Sequence, residues 1–188
     1  MCESMIYQYF KRKIQFLLFG IQCGKGLRVR GKIKLSWKVN LRIGDNVIIN
    51  SGNYHNPNPI GGEVITSFTT VFGGKIRIGN NVGISNATIF SRNSIVIEDN
   101  VMIGGGTKIY DTDFHPLDYE KRVNNLEEAV QCEPVRICEG AFIGTGVIIM
   151  KGVTIGRHSV VGAGAVVTKS IPDNEMWAGN PAHFIKGV

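Results

Sequence analysis

Aromatic residues make up only 9% of this 188-residue chain, whereas glycine occurs 24 times. That balance suits a turn-rich β structure. Long apolar runs are missing. The best candidate, Ile14 to Ile21, carries a glutamine, and it is far too short to span a bilayer. Lys11, Arg12 and Lys13 precede it as they would in a signal peptide, but no small-x-small cleavage site follows. Cysteine occurs four times, at Cys2, Cys23, Cys132 and Cys138, without a CxxC pair. Those spacings suit no zinc site, and free thiols in a reducing cytosol are expected. The net charge of +6 is compatible with phosphorylated or polyanionic partners. No basic run interleaved with aromatics points to nucleic acid, so none is expected as a partner.

Against these absences stands one strong pattern. Ile137, Ile143, Ile149, Ile155, Val161 and Val167 fall on every sixth residue. A six-residue period fits neither a helix face nor plain strand alternation, and so marks an internal repeat. The pattern recurs as Ile78, Ile84 and Phe90, slips by one residue after Val96, and continues as Ile97, Ile103 and Ile109. A weaker run begins at Ile43 and Ile49. Glycine often follows the aliphatic residue, as at Gly44, Gly79, Gly104, Gly144, Gly156 and Gly162, where the backbone tolerates no bulk. Four residues after it comes a small or β-branched side chain, among them Val82, Thr88, Val101, Thr107, Ala141, Val147 and Ala165. Each hexapeptide then reads as a short strand and a turn. Three of them close one coil, and coils stack at about 4.8 Å. The expected fold is an all-β parallel solenoid whose hand the spacing does not reveal.

Ile6, Phe10, Ile14, Leu17 and Ile21 follow helical spacing and predict an amphipathic helix over about residues 3–20. It either caps the open first coil or lies on an anionic membrane surface as a peripheral contact. The domain reading is therefore a helical cap over 1–22, coils over 23–172 and a closing segment over 173–188. Loops interrupt the coils at about 52–75 and 110–134, and loops on a rigid scaffold are the usual seat of function. The second loop opens Tyr110-Asp111-Thr112-Asp113-Phe114-His115-Pro116. A histidine with a carboxylate neighbour is the common general-base arrangement, and Asp111 or Asp113 could serve it or bind the acceptor. His158 instead fills a variable position of a regular repeat and is given no role.

These features together resemble the hexapeptide-repeat acyltransferases. The resemblance covers about residues 43–186. It rests on Ile76-Arg77-Ile78-Gly79-Asn80-Asn81-Val82-Gly83-Ile84, on Val161-Gly162-Ala163-Gly164-Ala165-Val166-Val167-Thr168-Lys169-Ser170-Ile171-Pro172, and on Trp177-Ala178-Gly179-Asn180-Pro181-Ala182. The chain looks most like the maltose/galactoside O-acetyltransferase branch and is similar to the acetyltransferases of capsule and O-antigen synthesis. The resemblance implies a left-handed β-helix and a homotrimer with sites between chains. It also implies acetyl-CoA as acyl donor, no metal, a sugar acceptor and a cytoplasmic location. His115 becomes the base, and Asn86 stands near the acetyl group. Coenzyme A contacts fall on Phe142, Thr145, Ala163, Thr168, Lys169 and Lys186. Phe142 replaces the family's tryptophan, and His183 replaces an arginine.

The implied reaction is acetyl transfer to a sugar hydroxyl. N-acetylation of a nucleotide-linked amino sugar is the close alternative. Serine acetylation lacks its long acidic N-terminal domain here. A zinc-dependent carbonic anhydrase of the same fold would need three histidines, and His55, His115 and His158 do not show its spacing. A purely structural β-helix would not need the loop histidine.

Overall fold

Within a strand, side chains alternate between the two faces, so a short segment can bury one residue and expose the next. In the computed structural model, which describes residue 16, residues 18–52 and residues 64–188, such segments pair between coils rather than along the chain. Each coil contributes three strands. The first has β1 (Gln22–Cys23), β2 (Arg28–Arg30) and β3 (Lys34–Leu35), and the second has β4 (Leu41–Ile43), β5 (Ile48–Asn50) and β6 (Ser67–Thr70). The third has β7 (Lys75–Ile78), β8 (Gly83–Ser85) and β9 (Thr88–Ser91), and the fourth has β10 (Ser94–Ile97), β11 (Met102–Ile103) and β12 (Lys108–Tyr110). The fifth has β13 (Val135–Ile137), β14 (Phe142–Ile143) and β15 (Ile148–Ile149), and the sixth has β16 (Thr154–Ile155), β17 (Val160–Val161) and β18 (Val166–Val167). Every third strand joins the same parallel sheet, giving sheets A, B and C in chain order. Beyond the coils, β19 (Glu175–Ala178) extends sheet B in parallel, and β20 (His183–Gly187) folds back antiparallel to it.

The core is the set of ladders this winding creates. Ile43, Ile78, Ile97, Ile137 and Ile155 stack inside sheet A, and Ile49, Ile84, Ile103, Ile143 and Val161 inside sheet B. Phe68, Ile89, Ile109, Ile149 and Val167 stack inside sheet C. All are buried. Where glycine follows an inward aliphatic, the neighbouring coil demands it: a Cβ on Gly104 would stand 2.7 Å from the carbonyl carbon of Gly144. At another corner Asn46, Asn81 and Asn100 adopt positive φ and pass hydrogen bonds from coil to coil. His158 takes the same kind of left-handed corner position, with φ 56°.

Three expectations need correction or qualification. Phe90 is not in the ladder. It lies in register with Tyr110 on the outer face, while Ile89 lies in register with Ile109 inside. The repeat thus shortens by one residue between Ile84 and Ile89, ahead of the expected slip. Accordingly Thr88 faces outward, and Ala87 takes the buried small position. The first interruption ends earlier than residue 75, because Ser67–Thr70 already pairs in sheet C with Phe68 inside. Residues 53–63 and most of the N-terminal helix expectation lie outside the described residues. From that stretch, Phe16 is buried in the core cluster together with Ile21. Among the described residues no helix is long and apolar enough to cross a membrane.

Candidate active site

The second interruption leaves the stack after β12 and returns at β13. Its base is closed like a short antiparallel ribbon: Glu133 N donates to Asp111 O at 3.0 Å and Asp113 N to Gln131 O at 3.0 Å. The Cys132 thiol donates to Thr112 Oγ1 at 3.3 Å. Farther out lies one short helix, α1 (Tyr119–Val123), whose first turn is capped by Asp118 accepting from Lys121 N at 2.9 Å. Arg122 from this helix donates to the carbonyls of Pro116 and Leu117 at 2.9 and 2.7 Å. Arg92, on the preceding coil, pairs with Glu127 at 2.8 Å and also donates to its carbonyl. The insert is therefore tied down at its base and at its far side.

His115 sits on the turn between these ties. Phe114 holds a left-handed φ of 63° and its N–H donates to Thr112 Oγ1 at 3.2 Å, while His115 N donates to Asp113 O at 2.7 Å. Pro116 is buried behind the turn, and the His115 side chain is exposed. Its ring has no hydrogen bond or ion pair with any described residue. Beneath the turn, Phe114 packs against Phe90 and Tyr110, with ring centroids 4.9 and 5.3 Å apart. This aromatic floor escaped the sequence reading because Phe90 looked like a ladder residue.

Neither aspartate supports the imidazole within one chain. Asp111 is fully buried and serves the neighbouring coil, accepting from Ser91 Oγ at 2.7 Å, Arg92 N at 2.7 Å and Asn93 N at 3.0 Å. Both of its oxygens are engaged, so it is available neither to the histidine nor to an acceptor. Asp113 lies 3.6 Å from Lys151 Nζ, and its Oδ2 is buried with no hydrogen bond. Lys151 also pairs with Glu133 at 3.0 Å. Hydrogen bonding to Glu133, and then the Asp113 charge, outweigh burial and hold the Lys151 ammonium above the ordinary lysine range. Asn86 is likewise structural in this chain. It is buried with φ 45°, and its Oδ1 accepts from Gly52 N at 2.8 Å where residues 53–63 depart.

The residues assigned to coenzyme A spread over the C-terminal half. Thr145 and Ala163 lie on successive turns between sheets B and C, with Gly164 N donating to Thr145 O at 2.8 Å and Thr145 Oγ1 to Gly105 O at 2.5 Å. Thr168 and Lys169 line an open hollow of about 520 Å³ together with Trp177, Pro181, His183 and Phe184. Trp177 Nε1 donates to Glu175 at 2.6 Å, which fixes the indole on one wall. Phe142 is half-exposed on the outer face of sheet B between Met102 and Val160, outside the hollow's lining. Lys186 is exposed on β20 opposite Met176, also outside that lining. The described cysteines, Cys23, Cys132 and Cys138, are free thiols. Among the described residues no three of His, Cys, Asp or Glu converge as a metal site; His55 is not described.

The bacterial transferase hexapeptide (six repeats) matches residues 134–169. Galactoside O-acetyltransferase of Escherichia coli (strain K12) is 38% identical over 118 residues, which cover 62% of this chain and 56% of that protein. In eight curated relatives, the matched stretch spans between 48% and 59% of the relative's own length. A hexapeptide-repeat-containing acetyltransferase of Vibrio cholerae, solved with acetyl coenzyme A, is 27% identical with a TM-score of 0.65, covering 98% of this chain and 79% of that one. AntD, an N-acyltransferase of Bacillus cereus solved as a point mutant with dTDP and coenzyme A, is 25% identical with a TM-score of 0.69, covering 96% and 89%. Taken with the six-residue ladders and the three parallel sheets, these likenesses make the chain similar to the hexapeptide-repeat acetyltransferases, and its match to the bacterial transferase hexapeptide falls on the fifth and sixth coils.

Proposed function

We propose that this chain is an acetyl-CoA-dependent O-acetyltransferase that acts on a sugar hydroxyl in surface polysaccharide synthesis. The observation that carries the reading is the exposed imidazole of His115, held by its backbone on a clamped insert. In this reading His115 takes the proton of the acceptor hydroxyl as that oxygen attacks the thioester carbonyl. The new C–O bond forms, the C–S bond breaks, and coenzyme A leaves as the thiolate. Backbone N–H groups offset the developing oxyanion, and no acyl-cysteine is formed. Asp113, set by Lys151, is the carboxylate left to meet the acceptor.

The hollow beside Lys169 fits coenzyme A chemically. Its walls combine apolar rings, Trp177 and Phe184, with one ammonium and the hydroxyl of Thr168, a match for a ligand that joins a purine ring to phosphates. We read the stack as left-handed and the enzyme as a cytoplasmic homotrimer with each site shared between chains. The outer face of sheet B supports the trimer: Met102 and Phe142 stand in register there, 60% and 47% exposed. A coenzyme-thiol release assay over a panel of galactosides, maltose and nucleotide-linked amino sugars tests the proposal. Turnover on hydroxyl acceptors is expected. A second reading, N-acylation of a nucleotide-linked amino sugar, is favoured by the likeness to AntD. Turnover restricted to the amino sugars would replace the first reading with the second.

A further inference from the structure

Charge is shared unevenly along the stack. Between Ser4 and Gly44 stand ten of the 21 lysines and arginines and no aspartate or glutamate. From Asp45 onward, eleven cationic residues face fourteen carboxylates. Seven of the ten early cations fall on described residues, and all seven are exposed. They surround the end of the stack. Arg28 and Arg30 lie on β2 in sheet B, Lys34 on β3 in sheet C and Arg42 on β4 in sheet A, while Lys25, Lys32 and Lys38 occupy the turns between them. None of the seven is in an ion pair with a described residue. The five ion pairs among the described residues all lie between Arg92 and Arg157.

Inside this ring the first coil is imperfectly closed. Leu27, Val29, Ile33 and Leu35 are only half-buried, though packed on the core. Beside Lys38, Trp37 is 79% exposed, with the Phe19 ring edge-on at 5.8 Å. Tryptophan next to lysine and arginine is the pairing favoured at a lipid headgroup layer, which takes both an amphipathic ring and a cation.

We propose that the first coil docks end-on against an anionic lipid bilayer surface. A linear polyanion such as nucleic acid would call for cations tracking one face of the stack. Cations on two sides and all three turns of the first coil, with Arg42 one coil further along on the third side, define a plane across the stack instead, and a flat anionic surface meets that plane. Each cation brought within a Debye length of such a surface strengthens binding roughly fivefold. The inference goes beyond acyl transfer and does not depend on it.

The test is vesicle co-sedimentation of the full chain, using phosphatidylcholine alone and phosphatidylcholine mixed with phosphatidylglycerol. Binding is expected only to the mixed vesicles and should weaken as salt is added. The triple variant R28Q/K32Q/K34Q should lose on the order of 100-fold in partitioning, while K108Q/K121Q should bind like the parent chain. Circular dichroism and coenzyme A affinity report separately on whether the triple variant is folded. If it is not, the lipid-composition and salt dependence of the parent chain still decides the matter. Equal partitioning to both vesicle types, a folded triple variant that binds undiminished, or retention of a DNA oligonucleotide in place of vesicles would overturn the proposal.

Discussion

At His115 the backbone is fixed and the ring has no partner among the described residues, the arrangement a base needs if it is to meet a substrate. His115→Ala should lower kcat on the order of 10²- to 10⁴-fold with little change in coenzyme A affinity; activity within a few-fold of the parent enzyme would remove it from the mechanism. Asp111 should behave in the opposite way. Its carboxylate accepts three hydrogen bonds while fully buried. Asp111→Ala should therefore cost about 3 kcal/mol of stability, measured by urea unfolding, because buried donors lose their partner. Cys138 offers a chemical probe. Burial, and then the Glu98 charge, push its thiol above the ordinary range, so thiolate is scarcer at any given pH. Mass spectrometry after brief alkylation at mildly alkaline pH should find the exposed Cys23 modified ahead of Cys138. Asp111 was legible as a residue of interest but not in its role. The donors it serves lie 18 to 20 residues away on the previous coil, a contact visible only after winding.

At the scale of one strand and turn, the repeat works because a tight turn brings successive coils almost into contact. Gly104 meets the Gly144 backbone at once, whereas a Cβ on Gly83 would meet nothing within 4 Å. Gly104→Ala should therefore destabilise by roughly 1–3 kcal/mol, in the manner of an overpacked core, while Gly83→Ala should leave the melting temperature nearly unchanged. Equal effects would mean that the corner glycines matter for another reason. The same scale explains the misplacement of Phe90. A six-residue count assumes that every turn has the same length, and the turn before Ile89 is one residue shorter. Strand alternation then sends Phe90 outward, where it forms the floor under Phe114.

For the molecule as a whole, among the described residues the apolar outer face of sheet B stays half-exposed and the His115 ring meets no carboxylate. Both fit a shared site. Light scattering should report a mass near three times 20.6 kDa, and a fully active monomer would end the shared-site reading. At the opposite end, Phe16 already lies in the core cluster. Deleting residues 1–20 removes Phe16 from that cluster and should therefore loosen the core at the first coil and cause aggregation, seen as soluble yield in gel filtration, while any soluble fraction keeps its coenzyme A affinity.

The sequence by itself determined the ladders except at Phe90, where Ile89 points inward, and it determined the place of the second insert and the imidazole that insert carries. Periodicity and turn chemistry are local, and wherever the turns keep one length each hexapeptide states its own inward side chain. Only the tertiary structure decided which polar residues are scaffold and which face solvent. Asp111, Asn86 and Thr145 carry side chains suited to a site, yet each is spent on a backbone group of another turn. Those partners lie one coil or more away along the chain, and the length of the coil between them varies. No fixed spacing in the sequence therefore records the contact.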